Sequence, residues 1–218
     1  MQPYVGIHNE SAVRLLMIYA SLVLCIALAG YAIPSKASPR NDQLLLSPQN
    51  IYTLPRTDVG QRLPDAHLFA YYVNTVRLFQ QSARKEAVFW FYVGEIRYRI
   101  YLRVHPELPP DGDPALFDCL HQTIGTPIND WAGSDPDTWV QAMQRALDWD
   151  RQHDNGFTSK TTHANAWHVM RADLKQLVAD VLANKSYIRE QRKRLACRHA
   201  PYSAKARKLS LAPSFGID

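Results

Sequence analysis

Nineteen consecutive positions, Leu15 to Ile33, carry no charge, and this run divides the chain before any fold can be assigned. A helix that crosses a bilayer needs about 20 apolar residues. The run therefore reads as a secretory signal or a signal anchor, and it is left out of the globular fold. Gly30-Tyr31-Ala32 and Ser35-Lys36-Ala37 each offer a small-x-small cleavage pattern. Arg14 before the run fits a cytoplasmic start. Everything from about residue 38 onward is then expected outside the cytoplasm, in the periplasm or anchored at the inner membrane through residues 15–33.

The rest of the chain divides by composition. Residues 1–37 form the leader, and 38–64 form a Pro-rich arm. A domain is expected over 65–197, with a basic tail over 198–218. An apolar fraction of 46% is that of a chain able to build a core. The net charge of +5 is uneven: Lys185 to Lys208 holds nine Lys or Arg against one acid, Glu190. Such a run suits anionic lipid or an acidic protein partner, or is simply a solvated helix end. Nucleic acid is not expected as a partner of an exported protein. Cys119 and Cys197 are the two cysteines beyond the leader, and an oxidising compartment invites a disulfide between them.

In the arm, Pro39, Pro48, Pro55 and Pro64 forbid a long helix. Leu44-Leu45-Leu46 and Ile51-Tyr52-Thr53-Leu54 are too apolar for a solvated linker, so an extended arm lying on the domain is expected. Asp65 is a candidate N-cap, and Leu68, Tyr71, Tyr72, Thr75, Val76 and Phe79 follow at helical spacing to about Gln81.

Residues 84–103 are ambiguous by period. Ile96, Tyr98, Ile100 and Leu102 alternate with Arg97, Arg99 and Arg103 as in a strand. Phe89, Val93, Ile96 and Ile100 also trace a helical stripe after Arg84-Lys85-Glu86. Ala83-Arg84-Lys85-Glu86-Ala87 followed by Trp90, Tyr92, Gly94 and Arg97 resembles one helical hairpin of a tetratricopeptide or Sel1-like repeat, over about residues 65–103. The resemblance implies a helix at 84–103. No second copy follows at such a period, so no array groove is implied.

Further helices are expected from Ala115 to Ile124, ended by Gly125, and from Asp135 to His153. The last is expected from His163 to Ala196. Between the first two, Thr126 to Gly133 is a tight connection. In the last helix Trp167, Met170, Leu174, Leu177, Val181, Asn184, Ile188, Gln191 and Leu195 repeat as a heptad seam. That seam is the spine of an antiparallel bundle or, alternatively, a dimer contact through 167–195. The expected fold is mainly α, a compact helical bundle of about five helices behind the leader. The alternative is α+β with a hairpin at 87–103.

Chemistry-bearing patterns are sparse. Asp150, His153 and Asp154 share a helix face, a spacing that can hold a metal, or they belong to a solvated helix end. Glu95 in its aromatic surroundings suits a general acid, or pairs with Arg99 at i+4. No nucleophile elbow or phosphate-cradling glycine loop is present, and no cofactor is implied. The residues expected to meet a partner are Trp90, Tyr92, Glu95, Arg97, Arg99, Tyr101 and Arg103, of the types that dominate binding hot spots. The expected function is an exported, non-enzymatic protein-binding protein, in concrete form a periplasmic immunity protein against a delivered toxin. The alternatives are an envelope hydrolase using Asp150, His153 and Asp154 or Glu95, and a structural anchor that binds lipid or cell wall.

Overall fold

The structure is a computed structural model that describes residues 46–194. The leader 15–33, Cys197 and the tail 198–218 lie outside the described residues. Among the described residues there are helices and no strands, so the fold is mainly α.

The arm is not extended where it is described. Ser47 caps a short helix α1 (Pro48–Thr53), its side chain accepting from the Asn50 amide at 3.1 Å. Pro55 precedes α2 (Arg56–Arg62), and Leu63–Asp65 adds a 3-10 turn. The prolines that exclude a long helix instead stand at the starts of short ones, where a missing N–H costs nothing. Leu46, Ile51, Val59 and Leu63 are buried. The Arg77 guanidinium fastens α1 by donating to the carbonyls of Ile51 and, at 2.7 Å, Leu54.

Helix α3 (Phe69–Gln80) begins later than the Asp65 cap predicts, since Asp65 belongs to the 3-10 turn and Leu68 precedes the first helical residue. Ser82, at φ 60°, turns the chain into α4 (Arg84–Val104), which settles 84–103 as helix. α4 is the central element, packed against α3 and against all the later helices, α5 (Asp113–Leu120), α6 (Thr126–Ala132), α7 (Pro136–Gln152) and α8 (Ala164–Ala183). Its buried residues include Phe89, Trp90, Phe91, Tyr92 and Val93 in succession. A helix covered on nearly every side has no single apolar stripe, which explains why its period was ambiguous.

Gly125 does not end α5. With φ −63° it continues a π turn, His121–Gly125, directly into α6. The expected tight connection is therefore helical, and Ile128 is buried there as a core plug. α7 starts as its sequence requires, with Asp135 accepting from the Thr138 amide at 3.3 Å. The last helix is interrupted at Asn184, whose side chain donates to the Asp180 carbonyl at 2.8 Å, and residues 185–194 are helical again. Trp167, Leu174 and Val181 of the heptad seam are buried within the chain, while Leu177 is 37% exposed.

α3 and α4 meet at Gly94. A Cβ there would stand 2.5 Å from Tyr71 Cβ, which belongs to the opposing helix and cannot rotate away. Gly94→Ala should destabilise the protein by about 1–3 kcal/mol through overpacking. Urea unfolding, followed by far-ultraviolet circular dichroism, measures it.

Candidate functional site

Two buried polar networks and one open groove surround α4. The first network is centred on Asp150 near the end of α7. Its Oδ1 accepts from Arg97 Nε at 3.1 Å and its Oδ2 from Arg171 Nη2 at 2.8 Å. The Arg97 and Asp150 side chains are wholly buried. Arg97 also donates to the Tyr71 hydroxyl at 2.9 Å and to the carbonyls of His153 and Asp154 at 3.0 Å each. Those carbonyls close the C-terminus of α7, where unpaired acceptors favour cations. Lys160 donates to the carbonyls of Asp150 and His153. The Trp167 ring lies 4.9 Å from Lys160 Nζ, with Arg171 at 5.4 Å. His153 stacks on Trp149 at 4.1 Å, and its Nδ1 is 2.8 Å from the Trp149 carbonyl.

Asp150, His153 and Asp154 therefore do not gather as ligands. Both Asp150 oxygens are engaged by arginines, and no cluster of three metal-ligating side chains exists among the described residues. The solvated helix end expected as the alternative is also absent at Asp150, which is fully buried.

The second network joins three segments. Asp113 at the start of α5 accepts from Tyr98 at 2.5 Å and faces His67 Nε2 at 3.4 Å. Tyr101 reaches its other oxygen at 3.5 Å. Burial would push the Asp113 carboxyl up, but the His67 and Tyr98 hydrogen bonds outweigh it and hold the carboxyl below its usual range. With that sign, the stabilisation is present above the ordinary carboxylate pKa and is lost as the pH falls through the depressed value.

The groove, about 550 Å³, runs between α4, α5 and α8. Tyr92, Glu95, Arg99 and Arg103 form its α4 wall, with Ile96 between them. Phe117 and Asp118 come from α5, and Met170, Asp173 and Leu177 from α8. Glu95 pairs with Arg99 at 2.9 Å, as their spacing predicts, and lies 3.8 Å from His121 Nδ1. Tyr92 is held by a chain in which the Trp139 indole donates to its hydroxyl at 2.7 Å and that hydroxyl donates to Asn129 at 2.9 Å.

The seven residues expected at a partner face are thus split. Trp90, Tyr92 and Arg97 are buried, and Trp90 packs on Trp149 at 5.1 Å. Glu95 and Tyr101 are half-buried, and Arg99 and Arg103 are exposed. Arg97 was misplaced because an arginine in an aromatic segment reads as a surface anchor when its acid lies 53 positions away. Asp118, Met170 and Asp173 were missed, since helical spacing alone does not say which helices share a groove. Cys119 is half-buried on α5, and its expected partner Cys197 lies outside the described residues.

Comparison with family models, curated proteins and solved structures found no match to this chain. The site therefore rests on its own geometry.

Asp150→Ala should cost about 3–5 kcal/mol, because it leaves the buried Arg97 guanidinium without its carboxylate, and chemical denaturation measures this. Burial lowers Lys160 from 10.5 to about 8, with Asp150 opposing and Arg97 and Arg171 assisting. Between those two values the unfolded chain binds the extra proton, so stability rises with pH. In Lys160→Met that rise should vanish from denaturation midpoints compared at about pH 8 and pH 10.

Proposed function

We propose that this chain is an exported protein that works by binding another protein, and that the groove between α4, α5 and α8 is its contact surface. One observation carries the reading. The groove combines apolar lining from Ile96, Phe117, Met170 and Leu177 with charged groups of both signs, Arg99, Arg103 and Glu95 on α4, Asp118 on α5 and Asp173 on α8. Apolar centres with charged rims suit protein recognition, where the rim sets partner choice and orientation. A periplasmic immunity protein that occludes a delivered toxin is the concrete form, and it needs a scaffold and a contact face instead of a catalytic centre. The uncharged leader supports export. No helix among the described residues is long and apolar enough to cross a membrane.

Engagement of both Asp150 oxygens by arginines argues against a hydrolase built on that group. A second reading keeps Glu95, because it shares the groove with Asp118 and Asp173, and paired carboxylates flanking a cleft are the requirement for glycan cleavage. Loss of activity on cell-wall glycan in Glu95→Gln, with stability retained, would favour that reading. The anchor reading rests on the basic tail, outside the described residues.

Arg99→Glu with Arg103→Glu should leave the melting temperature within a few degrees while weakening partner binding by roughly tenfold or more. Binding is read by photocrosslinking from position 177 in the native cells, followed by titration of the captured partner. Undiminished capture would remove the groove as the contact surface. Export also predicts a Cys119–Cys197 disulfide, to be found by peptide mapping without reductant.

A further inference from the structure

The described chain stops beside one end of the groove. Arg192 approaches the Asn129 carbonyl at 3.5 Å, and the Asn129 side chain accepts from the hydroxyl of Tyr92, a residue of the groove wall. Arg192 also donates to Asp130 at 2.6 Å, and Gly133 makes room for it, since a Cβ there would stand 2.7 Å from its Nε. These contacts hold the point from which residues 195–218 set out. Within the groove, Glu95 is neutralised by Arg99 at 2.9 Å. Asp118, Asp173 and Arg103 are exposed there and have no ion pair among the described residues. Two open acids therefore border the apolar lining of Ile96, Phe117, Met170 and Leu177.

Reach and charge both direct the last segment of the chain to that groove. The α4 wall from Tyr92 to Arg103 is about 17 Å of helix, and residues 195–204 span up to about 33 Å when extended. Residues 195–218 hold four Lys or Arg against one acid, Asp218. Three of the four, Lys205, Arg207 and Lys208, lead directly into Leu209 and Leu211, an order of cations and aliphatics that matches acids beside an apolar lining. The disulfide that export predicts would lead residue 197 the same way, because Cys119 adjoins Asp118 on α5. Residues 1–45 join the fold elsewhere, ahead of α1, which packs on α3, and α3 does not line the groove. We propose that residues 205–211 occupy the groove of their own chain as an autoinhibitory segment, with the three cations on Asp118 and Asp173 and the two leucines on the apolar lining. A tethered segment acts at about millimolar effective concentration, so weak contacts fill the site. A protein partner then enters by displacing it. That last step rests on the groove reading above; occupancy does not, and it is measured in the purified chain with no partner present.

The test places a photocrosslinking amino acid at position 177 of the purified full chain, and in a second preparation at position 103, and maps the adducts by peptide mass spectrometry. The expected product is an adduct within one chain to a peptide containing residues 205–211, in a yield that does not change on dilution. Lys205→Glu with Arg207→Glu and Lys208→Glu should cut that yield roughly tenfold and leave the circular dichroism spectrum unchanged. Adding Asp118→Lys and Asp173→Lys to that variant should restore the yield, a rescue that lost folding cannot imitate. In the native cells the Glu variant should raise partner capture from position 177 several-fold. The proposal is overturned if neither position yields a tail adduct, or if the Glu variant crosslinks as well as the unaltered chain. An adduct to residues 1–45 would make the leader the occupant, and an adduct between two chains that fades on dilution would make it a second copy; either result overturns the assignment. Partner capture that stays level in the Glu variant would overturn the inhibitory role. A tail adduct in a chain that captures no partner would count against the groove as a protein contact and not against its occupancy by the tail.

Discussion

The ion pair between Arg97 and Asp150 is the constraint around which the fold closes. A buried guanidinium is tolerated only if its donors are satisfied and its charge is balanced. Arg97 meets that demand from three directions: a carboxylate from α7, a hydroxyl from α3, and the carbonyls that end α7. Each partner must be in place at once. The arrangement therefore fixes the mutual position of three helices more tightly than apolar contact alone, which tolerates sliding. Arg171 extends the same constraint to α8.

A second requirement falls one turn further along α4, where Tyr98 and Tyr101 meet Asp113 and, through it, His67. The central helix thus carries two polar ties within adjacent turns, with aromatic packing beside them. Tyr72 sits edge-on to Phe91, Tyr98 and Phe117. The groove is what remains of the surface of α4 once α3 and α7 have covered most of it, with α5 and α8 as the other walls. Its rim is built from residues whose neighbours one or two positions away are core.

Much of this was legible in the sequence. The helical period of α3, the start of α7 at Asp135 and the buried members of the α8 seam follow from local spacing. Where the reading failed, the cause was non-local. The prolines of the arm do exclude a long helix, but the extended path expected from them is replaced by short helices that a proline can begin, and the apolar residues between them find a surface to cover. Gly125 looked like a stop, although its φ is helical and its lack of a Cβ serves close packing against Phe91. Asp150 looked solvent-facing because its local neighbours, Asp148, Arg151 and Asp154, are exposed. The charges that neutralise Asp150 come from α4, α8 and the Lys160 loop, and no window of sequence contains them together. Glu95 and Arg99, four residues apart, were read correctly for the converse reason.

The alternation of Arg97, Arg99 and Arg103 along one helix has an evolutionary consequence. The first of these is locked to the interior, and the other two project into the groove, so the same residue type is under opposite pressures within two turns. Related chains can diversify positions 99, 103 and 173 to follow a changing partner without disturbing the scaffold. Position 97 can change only together with position 150. Drift at the rim and paired inheritance in the interior would be the historical signature of a frame kept constant beneath a variable recognition surface.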